Sequence, residues 1–198
     1  MIKAILLDVD GTLTNSQKEI SPRTREALEK AQAAGIRLAI VSARTERGVL
    51  RFGRWLDFER NHGILICCNG AYIVDAESGE VIYDQCMPTE VSCAILEKLK
   101  GYDVMPIIAD GEYMYVNDVF AGMLRITDPQ GNERDFNVIE YESRSNEYIL
   151  CEKRDLAAFF ADKPIPKILV AAQPEYLAEV APAQHLPRTA VSSCLHPS

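Results

Sequence analysis

The chain lacks three features that define large classes of protein: a long apolar run, a basic face and a targeting leader. A membrane-spanning helix needs about 20 consecutive apolar residues, and no stretch of this sequence reaches that length. The formal net charge is −8, from 21 basic and 29 acidic residues, whereas a nucleic-acid-binding protein needs a basic surface. The first apolar run is too short for a signal peptide, and acids follow it at once. These absences predict a cytoplasmic protein that binds neither membranes nor nucleic acids.

The six cysteines show no C-x-x-C spacing, and the three histidines are scattered along the chain. Cys67 and Cys68 are adjacent in an apolar, strand-like run. This pattern favours buried free thiols in a reducing compartment over a disulfide framework or a zinc site. His62, His185 and His196 lie in loop-like contexts, so we expect them at the surface.

The first part of the chain has the pattern of an α/β core. Hydrophobic residues make up 47% of the 198 residues, enough for one domain or a core with an insert. Apolar runs predict buried strands at 2–8, 36–41 and 64–68, and helical spacing predicts helices at 22–34 and 47–56. The order β-α-β-α-β predicts a parallel, Rossmann-like sheet with right-handed crossovers.

The pattern of predicted secondary structure changes after Cys68. The segment Ala76-Glu77-Ser78-Gly79 predicts a hairpin, and Asp110-Gly111 predicts a second tight turn. Further helices are expected at 88–100 and 153–161, and further strands include 137–141, 167–172 and 189–192. Many short strands with a few helices predict a second, α+β unit. We therefore place a core domain at 1–84 and an α+β unit at 85–198.

The most informative segment is Asp8-Val9-Asp10-Gly11-Thr12-Leu13-Thr14, directly after the first apolar run. Residues two apart on a strand share a face, so the carboxylates of Asp8 and Asp10 converge if the strand stays regular. The turn at Gly11 offers backbone N–H groups to an anion. Two acids beside such a turn predict a hard cation, Mg²⁺, together with a phosphate. The alternative is an exposed Asx-type turn after a buried strand.

Asp8 to Leu13 resembles the Asp-x-Asp-Gly-Thr-Leu signature of haloacid-dehalogenase-type phosphohydrolases. The resemblance implies that Asp8 attacks phosphorus and becomes an aspartyl phosphate, and that Asp10 is the general acid/base. It also implies a Mg²⁺ site at Asp8 and Asp10, formed by the Asp8 carboxylate and the Asp10 backbone carbonyl. Gly11 and Thr12 are expected to contact the phosphate.

Two later segments extend the resemblance. Ser42-Ala43-Arg44 follows the second predicted strand, where the family usually has Thr-Gly-Arg, so Ser42 is expected to bind a phosphate oxygen and Arg44 to contact phosphate or substrate. A capping serine with a solvated arginine is the alternative. Asn69, in Cys68-Asn69-Gly70-Ala71, resembles the Asn-Gly-Ala turn of the family's Cof-type branch and is expected to line the site, or only to form a turn with positive φ. The unit after Cys68 resembles that branch's cap domain.

Two family elements are missing from these 198 residues. The chain has no Gly-Asp and no Asp-Asp dipeptide, whereas the resemblance implies a Gly-Asp-x-x-Asn-Asp segment and a catalytic lysine after the cap. The resemblance therefore covers the N-terminal half of the core and the cap. Without the other half, residues 4–7 are expected to become an apolar sheet edge that pairs with another chain.

Taken together, the residues and the resemblance predict a Mg²⁺-dependent phosphohydrolase for a small phosphorylated metabolite, with sugar phosphates as the family's common substrates. Its activity in this chain is expected to be weak or absent. One alternative is a non-catalytic phosphate or metabolite binder. A distant one is a receiver-type signalling domain, which would need its phosphorylated aspartate at the third strand tip, where this chain has Cys68 and Asn69.

Overall fold

The computed structural model of the protein describes residues 2–128, 131–183 and 191–192. The chain divides into two compact units, the first ending at Gln85 and the second beginning at Cys86. Each unit has a hydrophobic core of its own.

The first unit alternates strands and helices as the sequence predicts. Its elements are β1 Ala4–Asp8, α1 Pro22–Ala33, β2 Arg37–Val41, α2 Glu46–Trp55, β3 Ile64–Cys67, β4 Tyr72–Asp75 and β5 Val81–Asp84. The hydroxyl of Ser21 caps α1 by accepting a hydrogen bond from the Thr24 N–H at 3.2 Å. A short 3-10 turn, Cys68–Gly70, separates β3 from β4.

These strands form one sheet in the order β1-β2-β3-β4-β5. β1, β2 and β3 are parallel, which confirms the predicted core. β4 and β5 are antiparallel additions that form the predicted hairpin. The fold is therefore α/β with a mixed sheet.

The strand β1 is not the buried strand that its apolar sequence predicts. It lies at the edge of the sheet, with β2 as its one partner among the described strands. Leu6 is 62% exposed and the preceding Ile2 is 67% exposed. The prediction of full burial was wrong, and the sheet edge expected at residues 4–7 is confirmed among the described strands. Ile5 and Leu7, on the other face of β1 from Leu6, pack against the core.

The apolar residues Val49, Leu50 and Trp55 predict the inward face of helix α2, and the helix packs on the sheet through a different face. Val49 is buried as expected, but Trp55 is 39% exposed. Phe52, which is fully buried, takes the inward position, and Trp55 stands edge-on against it with ring centroids 5.4 Å apart. The shift follows from helical geometry, since Val49 and Phe52 are three residues apart on one face.

The second unit is α+β. Its elements are α3 Thr89–Leu99, β6 Met105–Asp110, β7 Tyr113–Val116, β8 Met123–Thr127, β9 Glu133–Asn137, α4 Val138–Ser145, β10 Ile149–Glu152, α5 Leu156–Phe159, β11 Ile168–Ala171, α6 Pro174–Ala183 and β12 Val191–Ser192. The main sheet has the order β10-β7-β6-β11-β12, and β8 and β9 form a separate hairpin. No helix in the part of the chain described above is long and apolar enough to span a membrane.

One predicted strand of this unit is a helix. Residues 138–141 belong to α4, whose first turn is capped by Asn137: its side-chain oxygen accepts a hydrogen bond from the Glu140 N–H at 3.0 Å. The cap favours a helix because it gives a hydrogen-bond acceptor to an N–H of the first helical turn, which has no partner within the helix. Of the last predicted strand, residues 189–190 lie outside the described residues.

Candidate active site

The candidate site lies where β1 and β2 end side by side. In the parallel register, Asp8 at the end of β1 is paired with Val41 at the end of β2, so Ser42 follows directly at the same edge. Val41 in turn is paired with Ile66 of β3. The carboxyl ends of parallel strands are where ligands bind in open α/β sheets.

A tight turn follows β1. The Leu13 N–H donates to the Asp8 carbonyl at 3.0 Å. Thr14 binds the Val9 carbonyl twice, through its N–H at 3.0 Å and its hydroxyl at 2.9 Å. Gly11 has a φ of 77°, a left-handed conformation that suits glycine. The result is a closed loop, with the side chain of Thr12 exposed to solvent.

Asp10 is held by two cations. The Arg44 guanidinium donates from Nε to Oδ2 at 3.1 Å and from Nη2 to Oδ1 at 3.1 Å. Lys18 donates from Nζ to Oδ1 at 2.9 Å. The fork of Arg44 matches the carboxylate geometry, which makes this the stronger class of charge-assisted contact. The orientation of the Asp10 side chain is therefore set by residues 8 and 34 positions away.

The same contacts set the protonation of Asp10. Burial raises the pKa of the Asp10 carboxyl, but the hydrogen bonds and charges of Arg44 and Lys18 outweigh burial and lower the pKa below its ordinary value. At neutral pH the carboxylate form is therefore favoured.

Asp8 has a different environment. Both acids are exposed, but Asp8 takes part in no ion pair among the residues described. The two acids of one motif thus differ: the carboxylate of Asp10 is bound by protein cations, whereas that of Asp8 is not. Groups placed in such unequal settings can take unequal chemical roles.

The tips of β2 and β3 are joined by backbone hydrogen bonds. The Asn69 N–H donates to the Ser42 carbonyl at 3.1 Å, and the Cys68 N–H donates to the Arg44 carbonyl at 2.8 Å. Ser42 is buried, and its hydroxyl oxygen accepts the Arg44 N–H at 3.2 Å. Cys68 and Asn69 have φ of 52° and 58°, and Gly70 follows at 92°. The positive-φ turn expected at Asn69 is present.

Four of the predicted residues, Asp10, Ser42, Arg44 and Asn69, are therefore joined by direct hydrogen bonds. Asp8 lies beside this group because it is paired with Val41, the residue before Ser42. Gly11 and Thr12 lie in the loop that follows β1. Sequence reasoning missed Lys18. Its position in the short polar loop after the motif could have indicated this contact, since a lysine there can reach the Asp10 carboxylate.

The described residues supply only some of the ligands that a magnesium site needs. Within them, no group of three or more histidines, cysteines and acids could hold a metal ion. The Asp8 carboxylate fits Mg²⁺, which prefers oxygen ligands and keeps several waters, often with one or two carboxylates and substrate phosphates. The Asp10 carboxylate fits less well because Arg44 and Lys18 already bind both of its oxygens.

Comparison with known proteins identifies the family to which the chain belongs. The profile of the haloacid dehalogenase-like hydrolases matches residues 5–194. The chain belongs to this family of haloacid dehalogenase-like hydrolases. A crystal structure of a haloacid dehalogenase-like hydrolase from Bacteroides thetaiotaomicron superposes with a TM-score of 0.69 and 28% identity, over 83% of this chain and 56% of that one.

Two curated relatives are named as phosphatases. The pyridoxal phosphate phosphatase YbhA of Escherichia coli is 32% identical over 116 residues, 59% of this chain and 39% of that protein. The phosphatase YwpJ of Bacillus subtilis is 29% identical over 132 residues, 67% of this chain and 41% of that protein. The chain thus spans about two fifths of the length of these relatives.

Proposed function

We propose that the protein is a phosphohydrolase that acts on a small phosphorylated metabolite through an aspartyl phosphate on Asp8. The observation that carries this proposal is the contrast between the two acids of the motif. Asp8 is exposed and makes no ion pair within the described chain, as a nucleophile needs. Asp10 is oriented by Arg44 and Lys18, as a proton-transfer group needs.

The reaction has two steps. In the first, a carboxylate oxygen of Asp8 forms a bond to phosphorus, the ester P–O bond breaks, and the leaving oxygen takes a proton from Asp10. In the second, Asp10 accepts a proton from water, the water oxygen bonds to phosphorus, and the bond from phosphorus to Asp8 breaks. Splitting one displacement into two in this way lowers the barrier of each.

The lowered pKa of Asp10 bears on both steps. The carboxylate form is the base that the second step requires. The first step requires the acid form, and the negative charge of a phosphoryl group bound near Asp10 would raise the pKa of its carboxyl. Ser42 and the turn at Gly11 and Thr12 are the groups that we assign to the phosphate, with Asn69 at the rim.

Mg²⁺ is the metal that we propose for this site. The Asp8 carboxylate and the Asp10 backbone carbonyl would hold it, with waters and the substrate phosphate as further ligands. The ion would neutralise charge on the transferring phosphoryl group. Sugar phosphates are the first substrate class to test, and pyridoxal phosphate is added because the relative from Escherichia coli is named for it.

A second candidate function is phosphate or metabolite binding without turnover. The observation behind it is that Arg44 and Lys18 bind both oxygens of the Asp10 carboxylate, the second acid of the motif. Calorimetry with inorganic phosphate and Mg²⁺, run beside a phosphatase assay, separates the two functions. Binding without phosphate release supports the binder.

The decisive experiment replaces Asp8 with Asn and measures phosphate release from p-nitrophenyl phosphate in the presence of Mg²⁺. We expect a loss of at least about 10³-fold, because the nucleophile is removed. Asp162→Asn, a change at an exposed acid of the second unit, is the matched control and should leave turnover unchanged. Equal turnover by wild type and Asp8→Asn would reject the nucleophile.

We also propose a cytoplasmic location and self-association through β1. Among the described residues no disulfide is formed, and burial raises the pKa of the Cys67 thiol, which disfavours its reaction. The exposed edge at Leu6 supports self-association.

A further inference from the structure

Lys18 lies in a loop whose shape is set by the backbone and by Asn15. The Lys18 N–H donates to the Asn15 carbonyl at 2.9 Å, and the Asn15 N–H donates to the Glu19 carbonyl at 3.0 Å. The Asn15 side-chain oxygen accepts two more hydrogen bonds, from the N–H groups of Gln17 at 2.9 Å and Glu19 at 3.0 Å. The loop is therefore closed without any contribution from the lysine side chain.

The backbone at Lys18 is itself unusual. Its φ is 61°, in the left-handed region that residues other than glycine, asparagine and aspartate rarely adopt. In this conformation Nζ of Lys18 lies 2.9 Å from Oδ1 of Asp10. Sparsely populated backbone conformations are often found where function requires them.

Two cations converge on one carboxylate here. Lys18 Nζ and Arg44 Nη2 both donate to Oδ1 of Asp10, at 2.9 and 3.1 Å, while Arg44 Nε donates to Oδ2. The lysine side chain is 31% exposed and that of Arg44 is 14% exposed. The two like charges repel each other, and each is attracted to the carboxylate that they share.

We propose that Lys18 is a positioning residue for Asp10, which with Arg44 fixes the carboxylate at the orientation needed for proton transfer. This inference rests on the proposed function, because it assigns Asp10 the proton-transfer role. In this account Lys18 contacts neither the phosphoryl group nor the leaving oxygen and acts through the Asp10 carboxylate. Its effect should therefore appear only where the reaction depends on a proton from or to Asp10.

The test uses substrates that differ in their need for an acid. An alkyl phosphate such as glycerol 2-phosphate needs a proton on its leaving oxygen, whereas p-nitrophenolate leaves without one. For Lys18→Met we expect kcat/KM on glycerol 2-phosphate to fall about tenfold, part of the roughly 10²–10⁴-fold that a positioned acid contributes. On p-nitrophenyl phosphate, kcat/KM should change less than about twofold.

A second readout follows the covalent intermediate. Because Asp10 also activates water, Lys18→Met should slow hydrolysis of the aspartyl phosphate. Rapid quenching during turnover of p-nitrophenyl phosphate, followed by intact-mass measurement, should then show more phosphorylated chain than in wild type. Lys18→Arg keeps a cation and should restore wild-type values in both readouts. Equal losses on both substrates, without accumulation of the intermediate, would overturn the inference.

Two controls separate this inference from folding and from the proposed function. Lys98→Met removes an exposed lysine that takes part in no ion pair of the described chain, and it should match wild type throughout. Crystal structures of Lys18→Met and wild type should show the Asp10 carboxylate displaced in the variant. If wild type shows no Asp8-dependent turnover, the proposed function fails. An unmoved Asp10 carboxylate would by itself overturn the role of Lys18.

Discussion

Arg44 and Asp10, 34 residues apart in the chain, form a two-pronged ion pair with both N···O distances at 3.1 Å. The pair joins the loop after β1 to the loop after β2. It also explains why the two acids of the motif differ, since Asp10 is bound to cations and Asp8 is exposed without one in the described structure.

Arg44→Met should raise the pKa of Asp10 and lower turnover. Burial, which raises this pKa, remains in the variant, while the hydrogen bonds and the charge of Arg44 that lower it are gone. We expect a fall in kcat/KM on an alkyl phosphate of roughly 10- to 100-fold, because the Asp10 carboxyl loses the two hydrogen bonds that orient it for proton transfer. Arg44→Lys should recover only part of it, because lysine lacks the planar fork.

The matched control for Arg44 is Arg23→Met, which removes an exposed arginine from α1. A ¹³C NMR titration of the Asp10 carboxyl checks the pKa, and phosphate release checks turnover. A normal pKa for Asp10 in wild type, or unchanged turnover in Arg44→Met, would refute the assigned role of this ion pair.

Stability should fall at acid pH through Asp75. Its carboxylate accepts hydrogen bonds from the N–H groups of Ser78 and Glu77, and these, with the nearby Arg37, lower its pKa from the ordinary 3.8. A carboxyl whose pKa is lowered by folding contributes stability that is fully present above its unfolded pKa and is lost as pH falls through its folded pKa.

The measurement for Asp75 is the urea unfolding midpoint at neutral pH and at about pH 3. Asp75→Asn should show a smaller drop between the two pH values than wild type. Glu80→Gln, which removes a carboxylate from the same hairpin, should behave as wild type. A pH dependence unaltered by Asp75→Asn would contradict the assignment.

Leu6→Lys should reduce self-association. Leu6 is 62% exposed on the edge strand β1, and a charge on such an edge disfavours pairing with another chain. Light scattering over a range of concentrations should give a higher mass for wild type than for the variant. A monomeric wild type at every concentration would rule out association through this edge.

Gly63→Ala should destabilise the first unit. A Cβ at Gly63 would lie 2.0 Å from Cγ of Phe58, which is only 1% exposed. Overpacking of this kind costs about 1–3 kcal/mol. At Gly101 the nearest atom to a Cβ is 3.5 Å away, so Gly101→Ala is the control. Thermal unfolding compares the stability of the two variants. An equal loss of stability in both would show that Phe58 moves to accommodate the added methyl group.

Much of the first unit follows from local patterns. Helical spacing with Ser21 as a cap predicts α1, and it begins at Pro22 as expected. The residues Ala76–Gly79 predict the turn between β4 and β5. By contrast, the strand expected at 137–141 is largely α4, since the cap at Asn137 outweighs the β-forming residues that follow it.

The sequence by itself determined the strand, the glycine turn and the two acids at its tip, because strand period and turn chemistry depend on neighbouring residues. Only the tertiary structure decided that Lys18 and Arg44 both bind Asp10 and that Phe52, rather than Trp55, is the buried aromatic residue of α2. Those facts depend on which strands become neighbours and where long side chains reach, and neither is contained in any short window of residues.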